Sequence, residues 1–268
     1  MLAALDARNG GLCLGFRSGD AWLPLARFGP DRSADEYAFL FEAAYRRATQ
    51  AAGEVAGALA GAAPDRAWLS CVVPALTPRL VEAFRLAFGL EARLVGPGIK
   101  TGVKIRTDQP SEVGSDLVCQ AAAAYELVRG ACVVVDFGAA LTLAAVDGEG
   151  ALLGASIAPG LETAAWALRR SAAQLPQVRL EEPSRAIGRN SAEALRSGII
   201  LGYRGLVSAL VAGMREELGG EAALVGSGDE LGRGILDSLG RTRFVPDLTL
   251  DGIAVIAARN EAAERRPR

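Results

Sequence analysis

The segment 95–120 gathers a small-residue turn (Gly96-Pro97-Gly98), a basic stretch from Lys100 to Arg106, and an acid, Asp116, behind Gly114-Ser115. A substrate is expected there. Both lysines of the chain, Lys100 and Lys104, fall inside it, and every other basic side chain is arginine. Lysine is a compact ammonium charge and arginine a planar fork, so the choice points to a partner that wants a point charge. The competing reading is chance under a coding bias toward arginine. The chain has no histidine. That removes Ser-His-Asp and Cys-His nucleophile systems and leaves acid–base work to Asp, Glu, Lys, Tyr or Cys. Phosphoryl transfer runs on such a set, because it needs positioning, charge stabilisation and one carboxylate to orient and deprotonate an attacking hydroxyl.

Two further acids stand in a recurring layout. Residues 1–5 read as an apolar strand that delivers Asp6, followed by the turn Ala7-Arg8-Asn9-Gly10-Gly11, a returning strand at 12–16 and a third around 21–28. Residues 131–135 deliver Asp136 in the same way, followed by Phe137-Gly138 and by strands at 141–146 and 151–157 around Asp147-Gly148-Glu149-Gly150. Helical sequence follows each hairpin, at 34–60 in the first half and at 160–172 and 191–218 in the second. Strands near 66–73, 92–95, 222–225 and 242–245 and helices at 77–88, 113–128, 230–239 and 250–264 fill the rest. The alternation predicts an α/β chain of two similar lobes, 1–112 and 113–268, each a mixed sheet flanked by helices. An interlobe cleft is expected, faced by one Asp-Gly turn from each lobe. The alternative is two unrelated strand-turn units, since Asp and Gly are common turn residues.

A length of 268 residues with 50% hydrophobic content can bury a real core. A net charge of −2 offers no basic field for nucleic acid or an anionic membrane, so the expected partner is a small molecule or a second copy of the chain. No apolar run is read as approaching the roughly 18–20 residues of a membrane span, and no leader pattern is read at the N-terminus. The expected location is cytoplasmic. The four cysteines, Cys13, Cys71, Cys119 and Cys132, are widely separated in apolar contexts and read as reduced core residues. The basic end at 265–268 reads as a solvated tail.

At the level of motifs the chain resembles the type III pantothenate kinases, members of the actin-like, sugar-kinase-like, Hsp70-like ATPase superfamily with its ribonuclease-H-like lobes. The resemblance is carried, in the family's order, by Ser33-Ala34-Asp35-Glu36-Tyr37, Ser70-Cys71-Val72-Val73-Pro74, Gly96-Pro97-Gly98-Ile99-Lys100-Thr101-Gly102, Val113-Gly114-Ser115-Asp116, Val134-Val135-Asp136-Phe137-Gly138, Ala158-Pro159-Gly160 and Ile187-Gly188-Arg189-Asn190-Ser191 leading to Ser197-Gly198. It implies ATP-dependent phosphorylation of pantothenate, the first committed step toward coenzyme A. Asp116 corresponds to the family's general base, and the competing reading is an acid that stabilises its own helix N-terminus. Gly96, Gly98, Thr101, Gly114, Ser115 and Ser191 correspond to the substrate side. Lys100 and Arg106 are read as holding a substrate carboxylate. Asp6 corresponds to the acid that organises Mg²⁺ and the phosphates, with Asn9, Gly10 and Gly11 in the loop that cradles them. Gly138, Ala139, Gly226 and Gly228 fall on the nucleotide side. Asp136 corresponds to the acid that binds a monovalent cation, K⁺ or NH₄⁺. A homodimer is implied as well.

The departures from the family pattern fall mostly on phosphate contacts. Asp-X-Gly-Asn-Thr reads here Asp6-Ala7-Arg8-Asn9-Gly10, which puts a bulky side chain where glycine admits positive φ and removes a hydroxyl. Leu117 replaces an arginine, and Ala139 replaces a threonine. Gly226-Ser227-Gly228 stands for Thr-Gly-Gly. Each lost transition-state donor costs about 10²–10³ in rate. The sequence therefore carries two expectations: a pantothenate kinase, or an impaired pseudokinase of the same fold acting in binding or regulation. The Asp136-Phe137-Gly138 triplet does not signify a protein kinase, since no GxGxxG loop accompanies it.

Overall fold

The computed structural model describes residues 1–51, 63–172 and 174–264. The end of the helix expected over 34–60 and the basic end at 265–268 lie outside the described residues. The chain divides into two compact units. The first comprises residues 1–102, 111–123 and those from Thr249 onward, and the second 103–110 and 124–248.

The first unit is built on β1 (Leu2–Arg8), β2 (Gly11–Ser18), β3 (Ala21–Trp22), β4 (Ala26–Phe28), β5 (Arg66–Cys71) and β6 (Ala92–Leu94). The sheet runs β3-β2-β1-β5-β6, with β4 also on β2. β1 is antiparallel to β2 and parallel to β5, so the sheet is mixed. Residues 2–7 of this central strand are all buried, as expected of an apolar run covered on both faces. Helices α1 (Ala34–Ala51) and α2 (Thr77–Phe88) supply Phe41, Leu80 and Phe84 to a core with Leu5, Leu14, Phe16 and Leu69. The Ser33–Glu36 motif has a local cause, a capping box: Ser33 N–H donates to Glu36 Oε2 at 2.8 Å and Glu36 N–H to Ser33 Oγ at 3.3 Å. These bonds, the Ser33 amide first, lower the Glu36 pKa. α2 opens on a proline and closes on left-handed Gly89. Parts of α3 (Ser115–Val128) and α7 (Leu248–Glu264) complete the unit.

The second unit contains β7 (Lys104–Ile105), β8 (Cys132–Phe137), β9 (Ala140–Val146), β10 (Ala151–Pro159), β11 (Ala223–Gly228) and β12 (Thr242–Phe244), with α4 (Leu161–Ser171), α5 (Ser191–Glu217) and α6 (Glu230–Asp237). Its sheet runs β12-β11-β8-β9-β10-β7. β8 is antiparallel to β9 and parallel to β11, repeating the relation of β1 to β2 and β5. The duplication extends to register: Asp6 lies opposite Ser70, and Asp136 opposite Ser227. All four are buried.

Several expectations change. Asp6 and Asp136 sit inside β1 and β8 rather than after them, because both strands run on to the hairpin turn. The third strand expected around 21–28 splits into β3 and β4. β7, absent from the sequence reading, pairs with β10 and assigns residues 103–110 to the second unit. The single cut at 112/113 is thus replaced by a discontinuous division. Periodicity reports which residues are helical but not which body a helix docks on. The helix expected at 191–218 is present as α5, but against the reading that no apolar run approaches a span it is long and apolar enough, by length and composition, to cross a membrane. It buries Ile199, Ile200, Val207 and Val211 against Val133 and Val135, while Arg196 and Arg204 pair with Glu181 and Glu182.

Candidate functional site

Asp6 is 7% exposed and Ser70 beside it fully buried, so a carboxylate and a hydroxyl face the same side of the first sheet. Ser70 Oγ shares a 2.9 Å hydrogen bond with Ser115 Oγ, which ties β5 to the first residue of α3. Next along α3 is Asp116, whose Oδ1 accepts from Leu117 N–H at 2.8 Å. A side chain added at Gly114 would overlap that same oxygen and also touch Val72, so the glycine makes room for the carboxylate over the end of β5. Acid and helix N-terminus therefore coincide: the Asp116 carboxylate stands at the positive end of the α3 dipole and accepts from one of its first N–H groups.

Cys119, one turn further on, is fully buried. Burial, then the Asp6 charge, pushes its thiol pKa well up, and the charges of Asp116 and Arg8 also reach it. Asp6, Arg8, Ser70, Ser115, Asp116 and Cys119 thus form one cluster within the first unit.

Arg8 overturns an expectation. It is the last residue of β1, pairs with Gly11, and has no positive φ; the positive φ of this hairpin falls on Gly11. The arginine therefore occupies the loop without backbone strain. Its Nε donates to Asp6 Oδ2 at 2.8 Å, and a terminal nitrogen donates to Thr249 Oγ1, which also accepts from Gln120 Nε2 at 3.2 Å. Thr249 and Gln120 carried no sequence signal. Thr249 meets Arg8 across 241 residues and Gln120 across 129, and it fell one residue short of the expected helix.

Gly96, Gly98, Lys100 and Thr101 lie in the loop after β6. Asn260 of α7, 6% exposed, clamps that loop by accepting from Lys100 N–H at 3.2 Å and donating to the Lys100 carbonyl at 3.0 Å. The Lys100 side chain is exposed. Asn260 was also missed by sequence, its partner lying 160 residues away. Arg106, read as a second carboxylate contact beside Lys100, belongs to the other unit. Its guanidinium is held by Asp147 (3.3 Å) and Glu149 (3.2 Å) of the β9–β10 turn.

In the second unit, Asp136 is 4% exposed and lies in register with Thr142 and Ser227. Gly138 and Ala139 form the β8–β9 turn, where the Ala139 carbonyl accepts from Gly160 N–H and Thr163 Oγ1. Gly226 packs beneath Leu236 and Phe244, so the core itself accounts for that glycine, while Gly228 ends β11 beside Phe137. Ser191 is exposed at the start of α5, whose cap is Asn190 accepting from Glu193 N–H at 2.9 Å.

Among the described residues no three acids or cysteines converge on one point. Asp136 with two neighbouring hydroxyl residues is a donor set suited to a hard monovalent cation. Asp6 fits a divalent ion poorly, because a guanidinium already contacts its carboxylate.

The chain matches the family model of type III pantothenate kinase over residues 2–213. It is 37% identical over 266 residues to a type III pantothenate kinase of Dehalococcoides mccartyi strain 195, covering 97% of this chain and 98% of that protein. It is 36% identical over 268 residues to that of Moorella thermoacetica, covering 97% and 100%. A Campylobacter jejuni structure assigned to the Baf family of transcriptional activators aligns with a TM-score of 0.59 at 14% identity, over 97% of this chain and 99% of that one. A Sinorhizobium meliloti structure assigned as a 2-dehydro-3-deoxygalactonokinase aligns at 0.57 and 13%, over 99% and 100%. At these identities the two structures speak for the fold alone.

Proposed function

The chain belongs to the type III pantothenate kinase family, and from that premise we propose that it transfers the γ-phosphoryl group of ATP to the primary hydroxyl of pantothenate, at the entry to coenzyme A biosynthesis. The observation that carries the reading is the placement of Asp116, a carboxylate held over Gly114 at the N-terminus of α3 beside the Ser70–Ser115 hydroxyl pair. Asp116 takes the proton from the substrate hydroxyl as the new O–P bond forms and ADP leaves with the bond electrons. The N–H groups at the start of α3 orient substrate oxygens. Lys100, on the loop clamped by Asn260, faces the substrate carboxylate; with Arg106 committed elsewhere, Lys100 supplies that charge without it. Gly96, Gly98, Thr101 and Ser191 complete the substrate side, and the two hairpin turns with Gly226 and Gly228 the nucleotide side.

Mg²⁺ arrives with the nucleotide and screens its phosphates when bound. Asp136 is assigned to K⁺ or NH₄⁺. The protein acts on this small molecule as a cytoplasmic homodimer, without a nucleic-acid or membrane partner. The pseudokinase alternative finds no support in full-length relatives named as kinases. Arg8, the most conspicuous departure, is accommodated without strain.

ADP release measured against a panel of hydroxy acids tests the assignment. Pantothenate is expected to stimulate release and to yield phosphopantothenate by mass. Stimulation by another acid, with none by pantothenate, would replace the substrate.

A further inference from the structure

The pair Asp6–Arg8 departs from what a metal-binding acid needs. Asp6 is held inside β1 with its carboxylate nine-tenths buried, and the cation it faces is the chain's own. Arg8 Nε contacts Oδ2 at 2.8 Å, a charge-assisted bond. The far end of the same guanidinium is fixed by Thr249, which α7 presents and Gln120 of α3 steadies. Two anchors on a planar group set both its position and its plane. The Arg8 side chain remains about a quarter exposed, at 24%, beside the Asn9-Gly10 turn. Arg8 holds Oδ2 of Asp6 while Oδ1 is buried without a hydrogen bond, so a divalent ion would find one carboxylate oxygen, set beside a fixed positive charge.

We infer that in this chain Asp6 is a positioning residue for Arg8 rather than a metal ligand, and that Arg8 is the cation which the β1–β2 hairpin offers to the nucleotide phosphates. The phosphate half rests on the kinase reading; the metal half rests on the Asp6–Arg8 pair alone. An arginine fork supplies hydrogen bonds as well as charge, and so stands in for the hydroxyl that Gly10 lacks. Nucleotide is then gripped at this hairpin even without a divalent ion.

Two measurements on the full-length protein test this. In the first, Mn²⁺ binding without nucleotide is followed by electron paramagnetic resonance for wild type and Asp6→Asn. The two are expected to titrate alike, and loss of a wild-type Mn²⁺ site in Asp6→Asn would overturn the metal half. In the second, ATP binding is measured by calorimetry in excess EDTA. Wild type is expected to bind, Arg8→Gly to bind about tenfold or more weakly, and Arg8→Lys, which keeps the charge and guards against misfolding, to fall between. Equal affinity of Arg8→Gly and wild type would overturn the phosphate half. Absence of ATP binding to wild type with and without Mg²⁺ would overturn the kinase reading and the phosphate half together, while the Mn²⁺ comparison would still decide the role of Asp6.

Discussion

Gly114 governs where Asp116 can stand. Any side chain there would meet the Asp116 carboxylate, so Gly114→Ala is expected to move the base while leaving α3 intact. A displacement of about 1 Å costs roughly 10² in rate; kcat should fall by about that much with the pantothenate KM changed little, as steady-state kinetics will show. The motif Gly114-Ser115-Asp116 was legible in the sequence, and so were both buried acids, because they lie beside glycine turns. The partners that fix them were not. Ser70 appeared only as part of a motif, and its bond to Ser115 spans 45 residues. Arg8 was visible, yet its effect was misjudged: sequence marks a side chain where a family has glycine, but only backbone angles show that the positive φ belongs to Gly11.

Between elements, α7 does two jobs that its sequence does not advertise. Gly252 lies so close to the Cys119 backbone of α3 that an added methyl would overlap its carbonyl. Gly252→Ala should therefore destabilise the protein by about 1–3 kcal/mol through overpacking, read as a lower urea midpoint. Eight residues on, Asn260 clamps Lys100. Asn260→Ala leaves the Lys100 amide without that acceptor, and losing such a bond in a buried setting costs about 1–3 kcal/mol; a raised pantothenate KM with nearly unchanged kcat is the expected kinetic result. Sequence did place most helices and strands, since capping boxes, prolines and left-handed glycines mark their ends locally. Thr77–Phe88 is one such helix. It missed β7, a two-residue strand that exists only because β10 offers it an edge.

Across the whole molecule, the repeated hairpin with its acid was readable as a pattern, because strand, acid and glycine recur in the same order; the buried Ser opposite each Asp emerges only from strand register. The discontinuous division into units was not, because it depends on long-range docking. The cysteines give a test of how each unit is closed. Burial raises the Cys132 thiol to about 12 and the Cys119 thiol well above its usual range, whereas Cys13 and Cys71 are half-buried. At pH 8, Cys119 and Cys132 should resist alkylation in the native protein and react once it is unfolded, as mass spectrometry will report. A raised pKa also sets the sign of the pH dependence. The unfolded thiol ionises near about 8.5 and folded Cys132 near about 12, so its contribution is complete below the first value and declines as pH rises toward the second. Urea midpoints should fall over that interval, and less so in Cys132→Ala.

The central claim is that Asp116 takes the proton from the substrate hydroxyl. The most direct measurement compares the rate of phosphopantothenate formation by wild type and Asp116→Asn, with ATP, Mg²⁺ and K⁺ or NH₄⁺ held constant and nucleotide affinity measured alongside. The account predicts product from wild type, a loss of about 10²-fold or more in Asp116→Asn, and ATP affinity largely retained. An Asp116→Asn protein that turns over within about twofold of wild type would contradict it.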